Sequence, residues 1–294
     1  MEKKAGGAYG TLWVVATPIG NLGDQTPRAR DLLQRVPIIA AEDTRVTRRL
    51  VPRRCAEPRW FSINEHNEIK QLPALLDALC DGQDVALVSD AGTPLVSDPG
   101  YRLVVAAHEA GVRVSPLPGP CAAIAALSVA GLASDRFWFE GFLPARSSAR
   151  RSRLAALKEV PVTLIFHVPA RDLVDVLQDA SAVMGAARHA AMARELTKLH
   201  ETVIRKPLAS LLALCRSQPE QSRGEVVLMI AGSDQRRSTI DADALADELA
   251  AELPPSRAAG ILARLTGLSR KQAWAVIERC RQPESEGDTL TGSP

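Results

Sequence analysis

Four short β-branched or apolar runs in the first half of the chain each break off into a loop of Pro, Gly or acidic residues, and that repeated break limits the fold more than any other feature. Residues 12–16 end in Thr17, Pro18, Ile19 and Gly20. Residues 38–41 run directly into Glu42, Asp43, Thr44 and Arg45, and residues 85–88 into Ser89, Asp90, Ala91, Gly92, Thr93 and Pro94. Residues 112–114 lead to Pro116, Leu117, Pro118, Gly119 and Pro120, after which residues 121–129 read as a buried helix of small side chains. Pro and Gly force a turn after the first run, before a helical pattern at residues 27–36. Such alternation predicts α/β units around largely parallel strands.

The rhythm pauses at residues 131–135 and resumes with Phe137, Trp138 and Phe139. Residues 162–166, 190–194 and 226–230 read as strands and 173–180 as a helix, so this half is α/β as well. After Gly232 the composition turns to Ala, Leu, Asp and Glu, with helical patterns at 242–253, 256–265 and 270–280 and with Ser269 placed to cap the last. The expected organisation is a flexible start at 1–10, an α/β domain at 11–134, a second at 135–232, a helical helix-turn-helix-like region at 233–281 and a disordered tail at 282–294.

Ligands in open α/β sheets bind outside the carboxyl ends of the strands. The loops are therefore the expected site. Small residues at Asp90–Thr93 and at 118–122 let backbone groups approach a flat ligand such as adenosine closely. The same residues also suit plain tight turns.

Several classes are disfavoured. No GxGxxG opens the first helix and no GxxxxGK[ST] occurs, against a nicotinamide or nucleoside-triphosphate enzyme. There is no GxSxG and no HExxH, and the 5 histidines lack metal-ligand spacing, so no metal is expected. The 5 cysteines form no CxxC and fit a reducing cytosol. The start lacks a signal-peptide stretch, and the most apolar run, residues 121–133, falls short of the roughly 20 residues that span a bilayer. A cytoplasmic protein away from the membrane is expected. The formal net charge of +2 is too small to hold polyanions non-specifically, and 4 Trp, 2 Tyr and 5 Phe leave few platforms for base stacking.

The segments GTLWVVATPIGNL (10–22), AEDTR (41–45), LVSDAGTPLVSDPG (87–100), LPGPCAAIAAL (117–127), FEGFLP (139–144) and RELTKLH (194–200), in this order, resemble the ribosomal RNA small-subunit methyltransferase I family of the tetrapyrrole methylase superfamily. Residues 254–279 resemble that family's small C-terminal helix-turn-helix region. The resemblance implies two α/β domains of the tetrapyrrole methylase type with S-adenosyl-L-methionine in the cleft between them. It also implies a homodimer and 2′-O-methylation of a cytidine in the decoding region of 16S ribosomal RNA in the small ribosomal subunit. With it, the candidate cofactor contacts are Pro18, Gly20, Asp90, Ala91, Gly92, Thr93, Leu95, Ser97, Pro118, Gly119, Cys121 and Ala122. One segment departs from the family: where it carries a Phe-Tyr-Glu-Ser/Ala-Pro-His-Arg-like run, this chain reads Phe166, His167, Val168, Pro169, Ala170, Arg171.

Methyl transfer to a ribose hydroxyl needs alignment of three atoms and a group to take the hydroxyl proton. Asp43 and Glu42 follow a strand directly and are the candidates; by resemblance Asp43 matches a loop Asp proposed as base in related methylases. Asp43 equally suits capping a helix at Thr44 or pairing with Arg45 or Arg48. RNA phosphates need cations, and Arg45, Arg48, Arg49, Arg53 and Arg54, then Arg146, Arg150, Arg151 and Arg153, offer two clusters. A solvated basic face is the other reading. His66 and Asn67, beside Asn64 and Glu65, are candidates for orienting a nucleotide, or ordinary loop residues. Two further functions remain in play. One is a porphyrin-type methyltransferase of the same fold, which would want an apolar trough. The other is a non-enzymatic nucleic-acid regulator using the last helices, where Arg270, Lys271, Gln272, Glu278 and Arg279 sit.

Overall fold

The computed structural model describes residues 8–51, 56–64, 66–233 and 242–281. The expected flexible start up to residue 7, Arg53, Arg54, Glu65 and the expected disordered tail at 282–294 lie outside the described residues.

The first sheet holds β1 (Thr11–Val15), β2 (Ile38–Ala41), β3 (Arg59–Ser62), β4 (Val85–Val88) and β5 (Arg113–Leu117), in the order β3-β2-β4-β1-β5. Every pairing is parallel. All four residues of β2 and of β4 are buried, because helices cover both faces. Ile39, Ala41 and Val88 meet Leu32 and Leu33 of α1 (Pro27–Arg35), whereas Ile38, Ala40, Val85 and Leu87 meet Leu75 and Leu79 of α3 (Glu68–Cys80) and Leu103 of α4 (Tyr101–Glu109). A short helix, α2 (Thr44–Thr47), follows β2. The hydroxyl of Thr26 accepts from the Ala29 N–H at 3.2 Å and Pro27 opens α1, a favoured start. Gly100 has no side chain to cap α4; the buried Glu68 carboxylate does so instead, accepting from Arg102 and Leu103 N–H at 2.9 and 3.2 Å.

The second sheet contains β6 (Phe137–Phe142), β7 (Thr163–Pro169), β8 (His189–Arg194), β9 (Thr202–Pro207) and β10 (Glu225–Ile230), in the order β6-β7-β10-β8-β9. Here the expectation of largely parallel strands is corrected: only β6–β7 is parallel, and the pairings of β10 with β7, β10 with β8 and β8 with β9 are antiparallel. α6 (Ser147–Leu157), α7 (Leu173–Met184) and α8 (Leu208–Ser217) accompany it. α5 (Ala122–Val129) starts just after β5 of the first sheet but covers the second. Its Ala123, Ala126 and Leu127 pack on Ile165, Ala191, Ala193, Val227 and Met229. Ser134 lies between α5 and β6.

The chain divides into two compact units, one of residues up to Lys158 with Val162–Gly232, the other of Glu159–Pro161 with residues from Ser233 onward. The second unit holds α9 (Ala242–Glu252), α10 (Pro255–Thr266) and α11 (Arg270–Arg281), closed on a small core of Ala246, Ala258, Ala259, Leu262, Ala273 and Ile277. The Ser269 hydroxyl accepts from Gln272 N–H at 3.3 Å at the start of α11. No helix among the described residues is long and apolar enough to cross a membrane.

Candidate functional site

The loops after β1, β2, β4 and β5 are tied to one another before any ligand is considered. Thr17 and Gly92 exchange two backbone hydrogen bonds, at 2.8 and 3.1 Å. The Thr93 hydroxyl donates to Pro120 O at 2.9 Å, and the Asp43 N–H donates to the Asp90 carboxylate at 2.9 Å. Gly92 holds φ +84° at this crossing, a conformation that any side chain would strain.

Between these loops and the carboxyl ends of β6 and β7, with part of β8 and β10, lies a cavity of about 410 Å³. Its floor is Glu42, Asp90, Ala91, Gly92, Thr93, Ser97 and Asp98, with Cys121 and Ala122 at the start of α5. Its opposite wall is Phe142, His167, Val168, Pro169, Ala193, Leu196 and the 224–227 stretch. Of the expected cofactor contacts, Asp90, Ala91, Gly92, Thr93, Ser97, Cys121 and Ala122 line it. Pro18, Gly20, Leu95, Pro118 and Gly119 stand off the lining. Pro18 is buried, Leu95 packs on the core of the first sheet, Gly20 adjoins the Lys198 side chain, and Gly119 backs onto Ala16 while Pro118 is exposed. None of these wall residues is among the expected site residues, although the 166–171 segment is singled out in the sequence as a departure from the family.

Among the described residues four non-glycine residues adopt left-handed backbone, and they fall in two loops beside the cavity: Leu95 (φ 72°) and Ser97 (φ 69°) after β4, Glu195 (φ 51°) and Thr197 (φ 66°) after β8. Such residues persist only where surrounding structure enforces them, and they concentrate at functional sites. Gly141, at an irregularity in β6 with φ +76°, admits the Ser97 hydroxyl: a Cβ there would lie 3.2 Å from it.

The electrostatics separate the carboxylates. Burial pushes Asp90 above the ordinary carboxylate range, against the stabilising Asp43 N–H. Burial likewise raises Asp98, opposed by a hydrogen bond with Ser89 and aided by the charge of Asp90. Asp43 moves the other way, to about 2, chiefly through the Arg45 side chain and then the Arg45 N–H. Its carboxylate accepts from the Arg45 guanidinium at 2.6 Å and from the Arg45 N–H at 2.8 Å, capping α2. Of the two roles expected for Asp43, the structure shows the cap and the Arg45 pair, off the cavity lining. Because its folded value lies below the free value of 3.8, the cap is fully held above pH 3.8 and is lost as pH falls through about 2. A carboxyl NMR titration should place the Asp43 midpoint near 2; a midpoint near 4 would show that the pair does not persist in solution.

The arginines divide as well. Arg150 is a correction: only 4% exposed, it donates to the Asp179 carboxylate at 2.8 Å and to Ala145 O at 3.1 Å, so it is a buried tie and not a phosphate contact. Arg45 is held by Asp43, Arg153 pairs with Glu140, and Arg48 lies over the Trp60 ring at 4.5 Å. Arg49, Arg146 and Arg151 are exposed. His66 is exposed, while the Asn67 side chain accepts from Asn64 N–H at 2.8 Å, closing the turn before α3. Among the described residues no cluster of three or more His, Cys, Asp or Glu is arranged to hold a metal.

Two α/β sheets meeting over one cavity, with a separate three-helix unit, find direct counterparts. Residues 11–212 match the Tetrapyrrole (Corrin/Porphyrin) Methylases and residues 237–275 the RsmI C-terminal HTH domain. Ribosomal RNA small subunit methyltransferase I of Escherichia coli O157:H7 is 48% identical over 275 residues, covering 93% of this chain and 96% of that protein. Two solved structures share the fold. The methyltransferase CobJ has a TM-score of 0.58 at 20% identity, covering 78% of this chain and 96% of its own. Uroporphyrin-III C-methyl transferase from Thermus thermophilus, complexed with S-adenyl homocysteine, has a TM-score of 0.52 at 18% identity, covering 76% and 97%. The chain belongs to the tetrapyrrole methylases and, within them, to the ribosomal RNA small subunit methyltransferase I family.

Proposed function

We propose that this chain methylates the ribose 2′-hydroxyl of a cytidine in the decoding region of 16S ribosomal RNA, in the cytoplasm, using S-adenosyl-L-methionine. The observation that carries the reading is the cavity itself. About 410 Å³ suits a nucleoside-sized ligand, the small residues Ala91, Gly92 and Ala122 leave room for a flat ring system, and Glu42, Asp90 and Asp98 suit a cation. S-adenosyl-L-methionine fits such a site as a positively charged adenosyl compound and supplies an already activated methyl group. The protein's own task is then to align that methyl with the acceptor oxygen, exclude water and take up a proton. The names of the curated relatives support ribosomal RNA as the acceptor. Exposed apolar side chains at Ile124, Val129, Phe137 and Trp138 support a homodimer as the acting form, which light scattering would test.

Isothermal titration with S-adenosyl-L-methionine, followed by methyl transfer to small subunits lacking the mark and mapping of the modified ribose, tests the reading. Absence of cofactor binding, or methylation of a base instead of a ribose, would overturn it. The exposed Arg49, Arg146 and Arg151 are assigned to RNA phosphates. Replacing each by Ala should lower the slope of log affinity against log salt by about 0.7–0.9 per lost contact, with cofactor affinity unchanged. An unchanged slope in all three variants would return these residues to the solvated face.

A further inference from the structure

One titratable side chain in the cavity wall has no part in the roles above. His167, on β7, stands edge-on to Phe139 with ring centroids 5.2 Å apart and tilted against Phe142 at 5.5 Å. Packing, not hydrogen bonding, fixes the imidazole: among the described residues its ring has ring contacts and no hydrogen-bond partner. From β6 it meets these two phenyl rings. From β10 it faces Val227 in register and the charge of Glu225. The other titratable groups on the same cavity are Glu42, Asp90 and Asp98 across the floor and Cys121 at the start of α5.

We propose that His167 is the general base of this chain, accepting the proton of the ribose 2′-hydroxyl as that oxygen is methylated. The assignment rests on the ribose-methylating reading above. An imidazole without a protein partner keeps a nitrogen lone pair available, whereas both oxygens of Asp43 are held by Arg45. As the ribose oxygen forms its bond to the methyl carbon, the carbon–sulfur bond electrons remain with sulfur, which becomes a neutral thioether. The hydroxyl proton passes to His167, and the cavity carboxylates with Glu225 offset the imidazolium charge. Burial depresses the His167 midpoint below the ordinary 6.5, with Glu225 partly opposing. The side chain is therefore neutral, and able to accept a proton, throughout the neutral range.

The test combines histidine NMR on the full-length protein with single-turnover methyl transfer to unmethylated small subunits from pH 5 to 9. The imidazole should titrate below 6.5, and the wild-type rate should be flat above that pH and fall on the acid side with the same midpoint. His167→Gln should lose at least about 100-fold in rate, within the range for general bases, and lose the acid limb. Its affinity for S-adenosyl-L-methionine and its melting temperature should stay close to wild type. An imidazole midpoint that disagrees with the acid limb of the rate overturns the assignment without any variant. A folded His167→Gln or His167→Asn that keeps the wild-type rate, or that loses only cofactor affinity, overturns it as well and leaves ribose methylation standing. A wild-type protein that methylates no ribose removes both.

Discussion

Arg150→Met should lower the stability of the fold by about 3–5 kcal/mol, since it leaves the buried Asp179 carboxylate without its cation. The pair is nearly sealed from solvent, with side-chain exposures of 5% and 10%, and among the described residues Asp179 otherwise accepts only from the Ser147 hydroxyl, at 3.0 and 3.2 Å. For a unit of this size the melting temperature should fall by roughly 6–20 °C, at about 2–4 °C per kcal/mol. Adding Asp179→Leu should recover much of the loss, because replacing both ions removes the stranded charge. The salt slope of RNA binding should not change in either variant at a temperature where it is folded. Calorimetry on the two proteins decides the matter, and a single variant that melts with wild type would refute the buried tie.

Ala122→Trp should abolish useful cofactor binding without unfolding the protein. Ala122 opens α5 and lines the cavity, and it is only partly buried, so an indole can occupy the space meant for ligand without displacing the core. Filling much of a cavity of about 410 Å³ should weaken S-adenosyl-L-methionine binding at least 100-fold, about 2.7 kcal/mol. The melting temperature should stay within a few degrees of wild type. Wild-type affinity in a folded Ala122→Trp would place the cofactor elsewhere.

Residues 38–41 and 85–88 were legible to the residue because strands buried on both faces read as unbroken apolar runs. The edge strands β3, β6 and β9 were not, since only Gly141 among their residues is fully buried and they carry mixed polar and aromatic side chains. The loop side of the cavity announced itself through Gly, Pro and acidic residues at strand ends. The far wall did not: His167, Ala193 and Val227 come together through antiparallel pairing, which no local signal encodes. Arg150 was misjudged within a run of arginines. Its position at i, with Leu154 at i+4 and Leu157 at i+7, marks the buried stripe of α6 and is the pattern that would have identified it. Asp43 had two readings from spacing alone, and the geometry shows the cap among them.

The placement of α5 has a consequence for synthesis. It leaves the ribosome directly after the first sheet, but the surface it covers belongs to β7, β8 and β10, and β10 emerges roughly a hundred residues later. At about 5–20 residues per second, the apolar flank formed by Ala123, Ala126 and Leu127 waits some 5–20 s for its partners. The parallel sheet can close during that interval, whereas the cavity does not exist until the last strand of the second sheet is inserted. Each nascent chain therefore carries an uncovered helix through the middle of its own translation, and its ability to bind ligand arrives in one late step.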